Sequence, residues 1–168
     1  MANGTSVEKQ LDLAEKNLDR LLEWVTRFDS KTSVVLGLDT GMLGAIGALA
    51  PAARFWDSLM LVFAILTMFF LSMGLLFVFL GNYPRLKSPN DSLFYFGSAC
   101  RKDLNQYKQE FCKRVPEEHL QDLLEQCHRN SEILDHKFSY LSWAYVVLFA
   151  SVIPWAVTII LFRSVSSV

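Results

Sequence analysis

Two uncharged apolar runs constrain this chain before anything else does. From Ser58 to Leu80, and again from Phe138 to Phe162, not one Asp, Glu, Lys or Arg occurs. Each run exceeds the roughly 20 apolar residues that a helix needs to cross the hydrocarbon core of a bilayer. Inside that core every backbone N–H and C=O must be satisfied within the segment, which selects helices. A soluble enzyme fold is excluded first. A length of 168 residues suits one domain. With 16 Lys and Arg against 17 Asp and Glu, no net basic field attracts a nucleic acid polymer.

A third, weaker span lies between Lys31 and Arg54. Val34, Val35, Leu36, Leu38, Met42, Leu43, Ile46 and Leu49 are apolar, Gly37, Gly41, Gly44 and Gly47 are small, and Asp39 interrupts the run. Pro51 and the residues up to Asp57 make a short turn, so the first two spans form a helical hairpin. The expected class is an all-α membrane protein whose extended first and last helices build a cytosolic stalk. It is read as a single membrane domain over 1–168. Its parts are a cytosolic helix at 1–31, spans at 33–53, 57–80 and 138–162, and a cytosolic segment at 82–137.

Basic residues set the orientation, because Lys and Arg accumulate on the cytosolic side. Of the 16, only Arg54 and Arg163 fall outside residues 1–31 and 82–137. The N-terminus and the 82–137 segment are therefore expected in the cytosol and the C-terminus outside, as a multi-pass membrane protein. Residues 1–31 carry six acidic residues and no apolar stretch of the secretory kind. Cys100, Cys112 and Cys127 are odd in number and lack CxxC spacing, which fits a reducing compartment rather than a disulfide framework.

Two long helices share a heptad-like rhythm. Val7, Leu11, Ala14, Leu18, Leu21, Val25, Phe28, Thr32 and Val35 recur at spacings of three and four, with Asp12–Lys16 and Glu23–Arg27 as i,i+4 pairs. The second rhythm runs through Leu120, Leu124, Cys127, Ser131, Leu134, Phe138, Leu141, Tyr145, Leu148 and Val152. Pro116 suits a first helical position, with Glu117 and Glu118 at the positive helix end. Such a helix, ending near Phe162, would be roughly 70 Å long at 1.5 Å per residue, with Pro154 expected to kink it. The seams pair within one chain or between chains of a homo-oligomer; both uses stay open. Between them, Tyr83–Asp91 is rich in turn residues, Ser92–Gly97 is an aromatic run too short to span, and Asp103 with Gln106 resembles a capping box.

Few residues point to chemistry. His128, Glu132 and His136 recur every four residues, but the outer two lie about 12 Å apart along the helix axis, so one ion cannot take all three and a solvated face is the simpler account. No metal site is expected. No Ser/His/Asp or Cys/His set, Walker loop or GxGxxG is present, so the chain is read as no enzyme, without a cofactor. Asp39 is the sharpest residue, since a carboxylate within a span is costly and commonly functional. It continues the first seam, and at equal depth the second seam offers Tyr145 as a hydrogen-bond donor. A hydrated or structurally satisfied carboxylate is the competing account. Gly37, Gly41, Gly44 and Ala48 form a small-residue stripe on the opposite face. It is expected to pack against the chain's own second span, with contact between protomers as the alternative.

The order of motifs resembles a family. Phe28-Asp29-Ser30-Lys31-Thr32 is similar to an Ala-Asp-Thr-Lys-Ala element at the mouth of its first span. Leu93-Phe94-Tyr95-Phe96-Gly97 is similar to its Phe-Phe-Gly element. Asp122-Leu123-Leu124-Glu125-Gln126, Asn130-Ser131 and Lys137-Phe138 resemble its last cytosolic helix, and Pro154-Trp155 its third span. The family is that of the membrane effectors of Pycsar (PycTM), a bacterial antiphage system; Asp39 and Thr32 depart from its pattern. The resemblance implies a partner cyclase, functionally coupled if not in contact, that makes cyclic CMP or cyclic UMP. It also implies an effector that damages the inner membrane so that the infected cell stops growing or dies. A cyclic monophosphate needs a cation for its phosphate and an aromatic or apolar surface for its base. Lys31, Arg101, Lys102 and Lys137 are candidates for the first, and Phe94, Tyr95 and Phe96 for the second. Each cation serves equally as a positive-inside anchor. Asp39, Tyr145, Gly37, Gly41 and Gly44 are the candidates for packing or gating in the membrane. A non-enzymatic scaffold that assembles a partner through its stalk is the alternative function.

Overall fold

The computed structural model describes residues 6–83 and 92–166, apart from the side chains of Ala53, Phe96 and Ser166. The loop expected at Tyr83–Asp91 therefore lies, from Pro84 on, outside the described residues. Among the described residues five α-helices follow in order: α1 (Val7–Leu49), α2 (Ser58–Asn82), α3 (Phe96–Ala99), α4 (Leu104–Lys113) and α5 (Pro116–Ser166). A single 3-10 turn at Ala53–Phe55 connects α1 to α2. The described residues contain no strand. Three of the helices, α1, α2 and α5, are long and apolar enough to cross a membrane. The chain is an all-α membrane protein.

Local chemistry explains the boundaries. α1 stops at Leu49, just before Pro51, which cannot donate a helical hydrogen bond. The Trp56 indole donates to the Pro51 carbonyl (2.9 Å) and closes the turn. Asp57 then caps α2, its Oδ1 accepting from the Met60 N–H at 2.7 Å. Asp103 caps α4 through the Asn105 N–H (3.0 Å). Gln106 does not reach back to complete a capping box; it donates instead to Glu110 Oε1 at 2.8 Å. Pro154 sits inside α5, where its missing N–H leaves one carbonyl of the preceding turn without a donor.

The chain divides into two compact units, Met1–Arg27 with Pro84–Asp135 and Phe28–Tyr83 with His136–Val168. The second holds the apolar runs and is called the membrane unit below. One of its clusters joins Phe28, Val35, Val78, Leu141, Ala144 and Leu148; a second joins Ile46, Met60, Ala64, Leu71 and Phe162. Gly81 permits the close approach of the three helices: a Cβ there would lie 3.3 Å from the Phe28 ring and 3.4 Å from Tyr140 Cβ. In the first unit Ala14 and Cys127 are buried, and the Cys127 thiol donates to the Ala14 carbonyl at 3.5 Å. Burial pushes the Cys127 thiol above its ordinary value, partly offset by a hydrogen bond with Asn17.

Both seams form, one with a shift. Along α1 the predicted positions, from Leu11 and Ala14 through Phe28, Thr32, Val35 and Asp39 to Ile46, are buried or half-buried, with Leu43 and Ala45 half-buried beside them. The i,i+4 pairs Lys16–Asp12 (2.7 Å) and Arg27–Glu23 (3.8 Å) lie on its exposed side. Along α5 the apolar rhythm misplaces three positions. Leu123 is buried where Leu124 was expected, Ser131 is exposed, and Ser151 rather than Val152 turns inward. In a span apolar all round, helix contact favours small residues, and a hydroxyl faces protein rather than lipid.

Candidate functional site

In the membrane unit α1 carries Asp39 to the centre of the packing. Its side chain is fully buried, and neither carboxylate oxygen has a hydrogen-bond partner. Gly74 of α2 makes the room: a Cβ there would fall 2.7 Å from Asp39 Oδ2. Tyr145, the donor expected from the sequence, packs instead against the cluster of Phe28, Val35 and Val78. Sequence reasoning missed Gly74, because one glycine in an apolar run carries no signal until its neighbour is known. Among the described residues the other buried side-chain polar groups of this unit have partners. Thr67 and Thr158 meet hydroxyl to hydroxyl at 3.2 Å, and the Trp155 indole donates to the Met42 carbonyl at 3.1 Å.

The glycine stripe does not pack as expected. Gly37, Gly41, Gly44 and Gly47 are exposed, and a Cβ on any of them would meet nothing within 4 Å. Ala48 is likewise exposed. The stripe stays open because the seam residues three and four apart already commit the opposite face of α1 to α2 and α5. Packing against the chain's own second span is thus corrected.

Lys31 and Lys137 belong together, in the membrane unit. The Lys137 ammonium lies 4.7 Å over the Phe28 ring and 3.9 Å from Asp29 Oδ1. Lys31 lies 5.7 Å over Phe138, whose ring meets Phe28 edge-on at 5.8 Å. Two cations over two edge-on rings contribute on the order of 0.5–1 kcal/mol each when exposed.

The remaining candidates are in the first unit, where Ser92 organises the chain. Its hydroxyl accepts from the Phe94 and Tyr95 N–H groups (3.1 Å each) and donates to Asp122 Oδ2 at 3.0 Å. The Gln126 amide bridges the same two residues, at 3.3 Å from Ser92 and 3.2 Å from Asp122. Arg114, the residue capping the end of α4, brings Nη1 to 3.1 Å from Asp122 Oδ2, an ion pair whose angle falls short of a hydrogen bond. The Arg114 guanidinium also lies 5.7 Å over Phe94, which meets Phe111 at 5.8 Å and the His119 ring at 4.4 Å. This network turns the aromatic run back onto the start of α5.

Beside it opens a cleft of about 330 Å³, lined by Leu93, Lys102, Glu110, Lys113, Arg114 and Glu118. Lys102 is deeply buried and ion-paired with Glu110, which is more exposed. Of the seven candidates for nucleotide binding, Lys102 lines this cleft and Phe94 stacks beside Arg114. Tyr95 is half-buried, Arg101 is exposed on the turn before α4, and the Phe96 side chain lies outside the described residues. Lys113 and Arg114 were not among the candidates; only folding of α4 brings them beside Lys102. His128 lies 3.5 Å from Glu132, which also accepts from Arg129 at 2.8 Å. Among the described residues no three His, Cys, Asp or Glu side chains group as metal ligands.

A family model described as the Pycsar effector protein domain matches residues 13–163. The chain belongs to the Pycsar effector family. The matched stretch takes in Asp39, Gly74 and every residue of the cleft. The chain is thus a transmembrane Pycsar effector with a general role in antiphage defence, functionally linked to a cyclic nucleotide signal from a cyclase. No curated protein and no solved structure matches it.

Proposed function

We propose that this effector senses a cyclic pyrimidine nucleotide, cyclic CMP or cyclic UMP, and answers by impairing the bacterial inner membrane. Growth arrest or death of the infected cell follows. Its N-terminus and the 82–137 segment face the cytosol, where a partner cyclase supplies the ligand. The observation that carries the reading is one effector domain with a cleft lined by three cations and two carboxylates in one unit and three spans in the other. In the cleft, Lys102, Lys113 and Arg114 offer charge to a phosphate monoanion, while Leu93 and the neighbouring Phe94 offer apolar surface to a base. Arg101 and Tyr95 flank that surface in sequence. Lys31 and Lys137 serve as anchors at the cytosolic face of the membrane unit.

A ligand shifts an equilibrium only by its differential affinity for the two states, about 1.4 kcal/mol for each tenfold preference. The resting form is therefore only moderately favoured over the damaging one. Purified effector in dye-loaded liposomes is expected to release dye with cyclic CMP or cyclic UMP and not with the linear monophosphates. Binding of a cyclic nucleotide without leakage would replace this reading with a scaffold that recruits another protein. Absence of binding would reject nucleotide sensing.

A further inference from the structure

The Lys102–Glu110 pair is built asymmetrically. The Lys102 side chain is 6% exposed and that of Glu110 is 38% exposed, so the cation is fixed in the wall and the anion stands at the opening. Both residues line the cleft, with Lys113 and Arg114 beside them. A buried ammonium cannot be left without an opposite charge, because desolvation costs several kcal/mol. Its counter-charge need not, however, be one particular carboxylate. Glu110 sits on α4, a helix with no buried residue of its own, and its other oxygen is held by the exposed Gln106 amide. A half-exposed carboxylate gives up its place more readily than a buried one.

We propose that Glu110 is an internal stand-in for the ligand's phosphate, occupying Lys102 in the resting protein and giving it up when a cyclic nucleotide enters the cleft. This rests on the nucleotide-sensing reading above and assigns its anion subsite. The exchange is charge-neutral at Lys102: one singly negative oxygen pair leaves and a singly negative phosphodiester takes its place. Lys113 adds charge at the same opening, where Arg114 is already paired with Asp122 and Glu118 is a second carboxylate. Such an exchange discriminates against uncharged nucleosides, which offer the ammonium nothing in return for Glu110. It also lowers affinity for every nucleotide, since each must displace the carboxylate first.

The test is direct binding of cyclic CMP and cyclic UMP to the full chain in detergent or nanodiscs, with cytidine and uridine as uncharged controls. Glu110→Gln keeps size and the acceptor for Gln106 but removes the competing charge. Its affinity for the cyclic nucleotide is expected to rise about tenfold over the wild type, with the nucleosides unchanged. Glu110→Asp, whose shorter arm withdraws from Lys102, is expected to give a smaller rise and serves if the amide variant does not fold. The double variant Lys102→Gln with Glu110→Gln is expected to bind more weakly than the wild type. Unchanged or weaker binding by folded Glu110 variants, while the wild type binds, would overturn the stand-in role and leave nucleotide sensing intact. No binding by the wild type or any variant would overturn both.

Discussion

Gly74→Ala places a methyl group where Asp39 already is. The added Cβ would sit 2.7 Å from Asp39 Oδ2 and 3.4 Å from its Cγ, inside van der Waals distance of a side chain with no exposed surface. Asp39 is short and packed between helices, so relief requires an off-rotamer carboxylate or a shift of α1 against α2. Overpacking of this kind costs about 1–3 kcal/mol. The same methyl should be tolerated once the carboxylate is gone. In an Asp39→Ala background, Gly74→Ala fills part of the space vacated and its cost falls to near zero. The expected coupling is therefore about 1–3 kcal/mol, well above the roughly 0.3–0.5 kcal/mol scatter of independent sites. Reversible unfolding of the four proteins of this cycle in mixed micelles measures it. Equal costs of Gly74→Ala in both backgrounds would refute the contact and with it the placement of Asp39 against α2.

Asp39→Asn keeps the size and removes the charge, so the protein should fold and insert while the membrane damage it causes changes. Expression-matched toxicity in cells supplying the nucleotide checks this, and unchanged toxicity would make Asp39 purely structural. Gly41→Leu, into open space, should leave stability within about 0.5 kcal/mol; loss of toxicity with a retained melting point would place the stripe between protomers. Cysteines introduced at Ser6, Ser58 and Ser166 in a cysteine-free background should divide by side. An impermeant thiol reagent on spheroplasts should reach the last two only, and labelling at residue 6 would invert the topology. In the native chain the exposed Cys100 and Cys112 should react with a thiol reagent well before the buried Cys127. Because folding raises the Cys127 thiol, its contribution to stability should be flat at neutral pH and decline as alkaline pH ionises the unfolded thiol first. A Cys127→Ser variant should lack that alkaline component in pH-dependent melts.

The membrane class of this protein follows from sequence alone, for a plain reason. A charge-free apolar run long enough to span has no other stable environment, and the lipid imposes the helix. The α1 seam was equally legible, because polar residues surround it and the apolar spacing of three and four stands out. Motif order pointed to the effector family for the same reason: short local patterns survive without knowledge of what they touch. Along α5 the signal failed at Leu124 and Ser131 in the charged stretch and again at Val152, where the background is apolar on every side. There Ser151 turns inward and Val152 outward because of what each helix presents to its neighbours, which no single-helix pattern contains. Asp39 was visible as an anomaly, yet its setting was not: Gly74 lies on another helix, and Tyr145 proved to have other neighbours. The glycine stripe looked like a packing face and is open, since tertiary contact had already committed the opposite side of α1. The cleft was the least legible. Lys102, Glu110, Lys113 and Arg114 are ordinary surface-type residues in sequence. Only the fold of α4 on the start of α5 buries one cation, leaves its partner at the opening, and gathers the others beside it.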